Sequence, residues 1–195
     1  MYRERMETLK EWKVAKNRKP LIIRGARQVG KTWLMKEFGK LYYEKCAYIN
    51  FDNNSRMDIL FNEEFDLNRI IQGLKIESGI NIEPENTLII FDEIQETPNA
   101  LKALKYFYEN ANEYHIVAAG SLLGVAMHQG TSFPVGKVNF MDLMPLSFFE
   151  FLDALGQDHL LNLLKNNEFD MISVFNNKYK DYLKLYYYIG GMPEV

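Results

Sequence analysis

The sequence predicts an α/β fold in three layers, with helices on both faces of a parallel sheet. Three observations carry that prediction. Short apolar runs suited to buried parallel strands alternate with longer segments whose apolar residues recur at helical spacing. The first run leaves through a glycine-bounded loop directly into a helix, in "LIIRGARQVGKTW", residues 21–33. The length of 195 residues suffices for one well-buried α/β domain with a small helical piece appended.

The elements follow in order. Residues 2–16 read as an amphipathic helix closed by "NRKP". "PLIIR" (20–24) is the first strand, and "KTWLMKEFGKLYY" starts a helix that runs from about residue 31 to 44. "CAYINF" (46–51) is the second strand, and residues 55–79 are mostly helical with a break near Asn62. "NTLIIFDE" (86–93) is the third strand, set off by Pro84 and Pro98. "ALKALKYFYENA" is a helix, "YHIVAAGS" (114–121) the fourth strand and "GKVNFMDL" (136–143) the fifth. "SFFEFLDALG" and "HLLNLLKN" read as further helices. This divides the chain into a core over 1–148 and a helical segment over 149–195, the start of a lid or of a C-terminal region expected to continue past Val195.

Bulk properties narrow the classes. An apolar fraction of 47% and a charged fraction of 25% are those of a globular protein in water. No apolar run is long enough to span a bilayer, and the charged start "MYRERMETLKEWK" lacks a signal-peptide core, so a cytoplasmic location is expected. The single Cys46 cannot form an internal disulfide and suits a reducing compartment. The net charge of −3 is uneven: residues 1–45 hold 13 Lys/Arg against 5 Asp/Glu, the remainder 10 against 21. A basic front half is consistent with an anionic ligand. A nucleic-acid partner stays open but is not supported by the charge of the acidic remainder.

The loop of the first turn has the spacing G-x-x-x-x-G-K-[ST], from Gly25 through Ala26, Arg27, Gln28, Val29 and Gly30 to Lys31 and Thr32. Glycines there let the backbone approach an anion, so that N–H groups of the loop, through Trp33 in the first helical turn, converge on one phosphate group. The helix that follows turns the positive end of its dipole to the same place. Lys31 is then the residue for the β- and γ-phosphates, and the Thr32 hydroxyl the one for Mg²⁺. An ordinary strand–turn–helix could also use two glycines. The strand before the loop and the helical spacing after it favour phosphate.

A phosphate loop needs a metal partner, and the third strand delivers Asp92 and Glu93 at its carboxyl end, where ligands bind in open α/β sheets. Asp92 is the candidate for holding Mg²⁺ through water, and Glu93 the candidate for orienting or deprotonating an attacking water. Ser121, after the fourth strand, is a candidate contact to the γ-phosphate or to that water. Asn50 and Asp52 end the second strand and read as structural or supporting residues. His115, His128 and His159 show no metal spacing.

With these residues in place the chain resembles AAA-type P-loop ATPases. It is more closely similar to a prokaryotic family with an N-terminal ATPase domain and a poorly characterised C-terminal domain. The resemblance rests on "RGARQVGKT", "INFD", "FDEIQETPNALKALK", "AAGSLL", "PVGKVNFMDLMPLSFFEF" and the closing "GGMPEV". It implies a P-loop NTPase sheet in the order 5-1-4-3-2, ATP and Mg²⁺ as ligands, and a protein partner or a further C-terminal domain. One departure stands out. AAA-type ATPases usually carry an arginine finger after the fourth strand, and this chain has no arginine after Arg69. Lys137 stands where the family commonly has arginine and is a candidate substitute, without the planar fork that spans two phosphate oxygens. Arg3 and Arg5 are candidates for reaching a neighbouring subunit. The expectation is an ATPase that couples its nucleotide cycle to conformational change. The alternative is a nucleotide-dependent interaction module with little turnover. A small-molecule kinase is disfavoured by the arginine-free second half.

Overall fold

The computed structural model describes residues 3–62, 65–120, 134 and 136–193. The strands are β1 (Leu21–Arg24), β2 (Lys45–Asn50), β3 (Thr87–Asp92), β4 (His115–Gly120) and β5 (Asn139–Asp142). They form one sheet in the order β2-β3-β4-β1-β5, and every adjacent pair is parallel. This is the expected order. A parallel sheet needs its connections to cross over a face, so α1 (Arg5–Val14) and α2 (Lys31–Tyr42) cover one side. Helices α3 (Ser55–Asn62), α4 (Leu67–Ser78) and α5 (Pro98–Asn110) cover the other.

The two central strands show why no polar face exists. All six residues of β3 and all six of β4 are buried. In β3, Ile89 and Phe91 enter the core beneath α3–α5, while Leu88 and Ile90 enter the core beneath α1 and α2. Phe51, Phe61 and Phe91 form a cluster in the first core with ring centroids 5.2–6.0 Å apart, in which Phe91 meets the other two edge to face. Helix α1 docks through Met6, Leu9 and Trp12, spaced one turn apart.

The helical stretch expected over 55–79 with a break near Asn62 is two helices, the first ending at Asn62 and the second starting at Leu67. Asp66 caps the second by accepting from the N–H groups of Asn68 and Arg69, and Gly79 closes it in the left-handed conformation. After β5 come α6 (Phe148–Ala154), α7 (Asp158–Lys165), α8 (Phe169–Val174) and α9 (Asn176–Ile189). Ser147 and Glu150 form a reciprocal capping box at the start of α6. Helices α8 and α9 fall within the helical segment expected over 149–195, although their individual bounds were not read from the sequence. Among their described residues only Tyr179 is buried. The chain then returns to the sheet. The Tyr186 hydroxyl donates to the Leu146 carbonyl at 2.6 Å, and the Leu146 N–H donates to the Gly191 carbonyl at 2.6 Å. Gly191 has no room for a side chain, because a Cβ would lie 2.6 Å from the Leu146 oxygen.

Candidate functional site

The phosphate loop follows β1 at the carboxyl end of the sheet. Its two glycines have different reasons. Gly30 sits at φ 88°, in the left-handed region, and Gln28 joins it at φ 65°. Left-handed residues within a turn point neighbouring N–H groups into one concavity. Gly25 is instead a packing glycine: a Cβ there would come within 2.4 Å of the Leu143 carbonyl oxygen. The first glycine therefore admits the chain leaving β5, not the anion.

Lys31 opens α2, and its ammonium donates to the carbonyls of Gly25 at 3.0 Å and Ala26 at 2.7 Å. It is 6% exposed rather than solvent-facing, as a lysine at the mouth of a site would be. Burial lowers its pKa; the carboxylates of Glu93 and Asp92 oppose that shift, and Arg27 adds to it. Arg27, Gln28, Gly30, Lys31, Thr32, Trp33 and Glu93 line a cleft of about 280 Å³. The Val29 side chain lies in the core, and its carbonyl accepts from Arg3 Nη1 at 3.3 Å.

β3 brings the second half of the site to the first. Thr32 Oγ1 donates to Asp92 Oδ2 at 2.6 Å across a sequence separation of 60. Asp92 Oδ2 also accepts from the Tyr48 hydroxyl at 3.0 Å, and Oδ1 accepts the Glu93 N–H at 3.1 Å. Glu93 takes the left-handed conformation, φ 51° and ψ 42°, at the turn out of the strand. Its Oε2 accepts from Gln95 Nε2 at 2.6 Å. No cluster of three or more His, Cys, Asp or Glu able to hold a metal occurs among the described residues. The donor set is thus one hydroxyl and one carboxylate. That set fits Mg²⁺, which takes few protein oxygens and completes its shell with water and substrate phosphates.

The other candidates are placed as follows. Ser121 and His128 lie outside the described residues. Asn50 Oδ1 accepts the Asp52 N–H at 3.0 Å, a local turn at the end of β2. His115 is buried at the start of β4, at the amino end of the sheet, with its Nδ1 2.7 Å from the Tyr43 hydroxyl. The Cys46 thiol faces Gly39, and burial pushes its pKa up, as suits an inert packing residue.

Two expectations about cations are corrected. Lys137 precedes β5 and pairs with Glu109 at 2.8 Å, at the amino end of the sheet, so it cannot act beside the phosphate loop of its own chain. Parallel strands put the loop and Lys137 at opposite poles. Arg3 does not extend toward a neighbour: it is 3% exposed and donates to the carbonyls of Val29 and Met144. Its Nε lies 3.2 Å from Glu150 Oε1, an ion pair without hydrogen-bond geometry at that nitrogen. Arg24, flanking the loop, is held by Asp142 through two bonds of 2.8 and 2.9 Å.

A family model described as an AAA domain matches residues 17–152. The chain belongs to the AAA domain family. Among solved structures, this AAA domain is similar to Drosophila ORC bound to DNA, with a TM-score of 0.57 and 18% identity over 94% of this chain and 56% of that one. It is similar to a Walker-type ATPase of Pyrococcus abyssi, with a TM-score of 0.51 and 16% identity over 84% and 59%. It is also similar to the Aeropyrum pernix ORC2 protein in ADPNP–ADP complexes, with a TM-score of 0.51 and 18% identity over 82% and 52%. At these identities the likeness is one of fold. The chain spans between 52% and 59% of the length of the three. No curated protein sequence matches significantly. No helix among the described residues is long and apolar enough to cross a membrane.

Three residues of the AAA domain at this site were not singled out from the sequence: Tyr48, Gln95 and Glu150. Each acts through a contact across 2 to 147 positions, Gln95 on Glu93, Tyr48 on Asp92 and Glu150 on Arg3. The Ser147-x-x-Glu150 spacing announces a helix cap but says nothing of Arg3.

Proposed function

We propose that this AAA domain binds ATP with Mg²⁺ and hydrolyses it slowly on its own, and that nucleotide occupancy is coupled to the helical segment over 149–195. The observation that carries this is the Thr32–Asp92 bond of 2.6 Å, which joins the phosphate loop to the acidic strand end. Lys31 exchanges its bonds to the Gly25 and Ala26 carbonyls for phosphate oxygens, keeping its charge satisfied throughout. Thr32 and Asp92 hold Mg²⁺, which when bound neutralises charge on the β- and γ-phosphates. Glu93 accepts the proton of the attacking water, and Gln95 holds the Glu93 carboxylate in place until then.

Slow turnover follows from the cations. An arginine finger contributes about 10³–10⁵ in rate. In this chain Arg3 and Arg24 are committed to other partners, Arg27 lies within the phosphate loop itself, Lys137 lies at the far pole, and no arginine follows Arg69. A further segment or another protein is the natural donor. This same deficit favours the second reading, an interaction module with little turnover. Coupling has a material route: Arg3 bridges Val29 in the loop to Glu150 in α6, and Pro193 approaches within 3.6 Å of where a Gly30 Cβ would be. The DNA in the ORC complex belongs to that protein; the charge here gives no support for nucleic acid.

The test measures ATP binding calorimetrically and phosphate release at saturating Mg·ATP, for the wild type and Lys31→Ala. The wild type should bind ATP with turnover well below one per second. Lys31→Ala should lose binding by about 10²-fold or more, since two charge-assisted bonds contribute about 1.5–3 kcal/mol each. Equal ATP affinity in a folded Lys31→Ala protein removes the proposal.

A further inference from the structure

Tyr48 occupies an unusual place for a strand residue next to a catalytic pole. In β2 its neighbours Ala47 and Ile49 turn into the core under α3–α5, so Tyr48 turns to the opposite face, toward α2. The register sets Tyr48 beside Ile90 and Asn50 beside Asp92. Two residues of strand rise, about 6.6 Å, separate those levels. A tyrosine spans that distance and a shorter polar side chain does not, and the Tyr48 hydroxyl reaches Asp92 Oδ2 at 3.0 Å.

The ring is held from its other side. Lys36 lies one helical turn beyond Thr32 in α2, and its ammonium sits 3.7 Å from the Tyr48 ring centroid. Thr32, Asp92, Tyr48 and Lys36 thus close a ring of contacts between α2, β3 and β2. A tyrosine hydroxyl keeps its proton near neutral pH, so Tyr48 donates to Asp92. An ionised carboxylate offers about four acceptor directions. Three on Asp92 are taken, by Thr32, by Tyr48 and by the Glu93 N–H.

We propose that Tyr48 is a positioning residue for the metal: by holding Asp92 from the neighbouring strand β2 on the same sheet face, it sets how strongly Mg²⁺ tightens nucleotide binding. It touches neither metal nor nucleotide. The proposal rests on the Mg²⁺-dependent ATP site proposed above. Groups that orient a metal ligand typically contribute about 10–100-fold in metal affinity.

The experiment follows a fluorescent ATP analogue, mant-ATP, bound to the protein in EDTA and then titrated with Mg²⁺. Tyr48→Phe keeps the ring and the Lys36 contact and removes only the hydroxyl. It should raise the half-saturating Mg²⁺ concentration about tenfold and leave mant-ATP affinity in EDTA at the wild-type value. Tyr48→Leu should show a comparable rise. An unchanged Mg²⁺ half-point in Tyr48→Phe overturns the proposal. So does an equal loss of affinity with and without Mg²⁺, or a shift in Tyr48→Leu that is missing from Tyr48→Phe, which assigns the effect to ring packing. Wild-type protein whose mant-ATP binding ignores Mg²⁺, or which binds none, fails at the level of the ATP site itself and is recognised before any variant is compared.

Discussion

The two ends of the sheet both bury polar side chains, yet they do different things with them. At the amino end, the Tyr43 hydroxyl meets His115 Nδ1, Trp12 Nε1 donates to the Lys19 carbonyl at 2.7 Å, and Arg18 bonds the Asn112 carbonyl. These groups satisfy one another or the backbone, beneath the aromatic rings of Trp12, Phe38 and Tyr43. At the carboxyl end, Lys31, Thr32, Asp92 and Glu93 are also bonded, but their partners are loop carbonyls or each other, around a cleft that admits solvent. Lys31 uses two of its three ammonium donors, and Asp92 three of about four acceptor directions. Buried polarity alone does not mark a site. Spare bonding capacity beside a cleft marks a candidate one, and in a parallel sheet ligands bind where the strands end.

The contrast predicts that changes at the carboxyl end remove function and spare the fold, whereas changes at the amino end do the reverse. The largest effect should come from Glu93→Gln. Hydrolysis should slow by about 10²–10⁴-fold while Mg·ATP still binds, because the amide cannot accept the proton of the attacking water. Single-turnover phosphate release with a parallel binding titration separates the two. Normal hydrolysis in the variant would move the base elsewhere.

The amino end should respond to pH. Burial, with help from Arg18 and Lys13, lowers the His115 pKa from 6.5 to about 4. The folded protein then holds His115 neutral where the unfolded chain binds a proton. Its contribution to stability is therefore present above the unfolded value and lost as pH falls through the folded one. Urea unfolding between pH 7 and pH 4 should show stability declining by up to about 1.4 kcal/mol per pH unit from this group. His115→Gln should remove that component. A slope identical in the variant would assign the pH dependence to other groups.

The smallest change sharpens the boundary between the regions. Ser147 caps α6, close to Arg3 and Glu150 but outside the cleft. Ser147→Ala should cost about 1 kcal/mol of stability and leave ATP affinity unchanged. Altered affinity would show that the cap transmits to the phosphate loop through Glu150 and Arg3.

By itself the sequence determined the layers, the strand order through its resemblance to the AAA domains, and the two halves of the site. Loop spacing, apolar runs and strand-end carboxylates are local patterns, and strand boundaries such as Thr87–Asp92 fall within one residue of the expected 86–93. The tertiary structure decided what depends on approach between distant segments. It assigned Gly25 to the Leu143 carbonyl, folded Arg3 onto Glu150, carried Lys137 to the far pole and set Tyr48 and Gln95 on the two carboxylates. The physical reason is common to all: a hydrogen bond or a steric gap is a property of a pair. One-dimensional spacing reports a pair only when both members lie in the same loop, turn or strand.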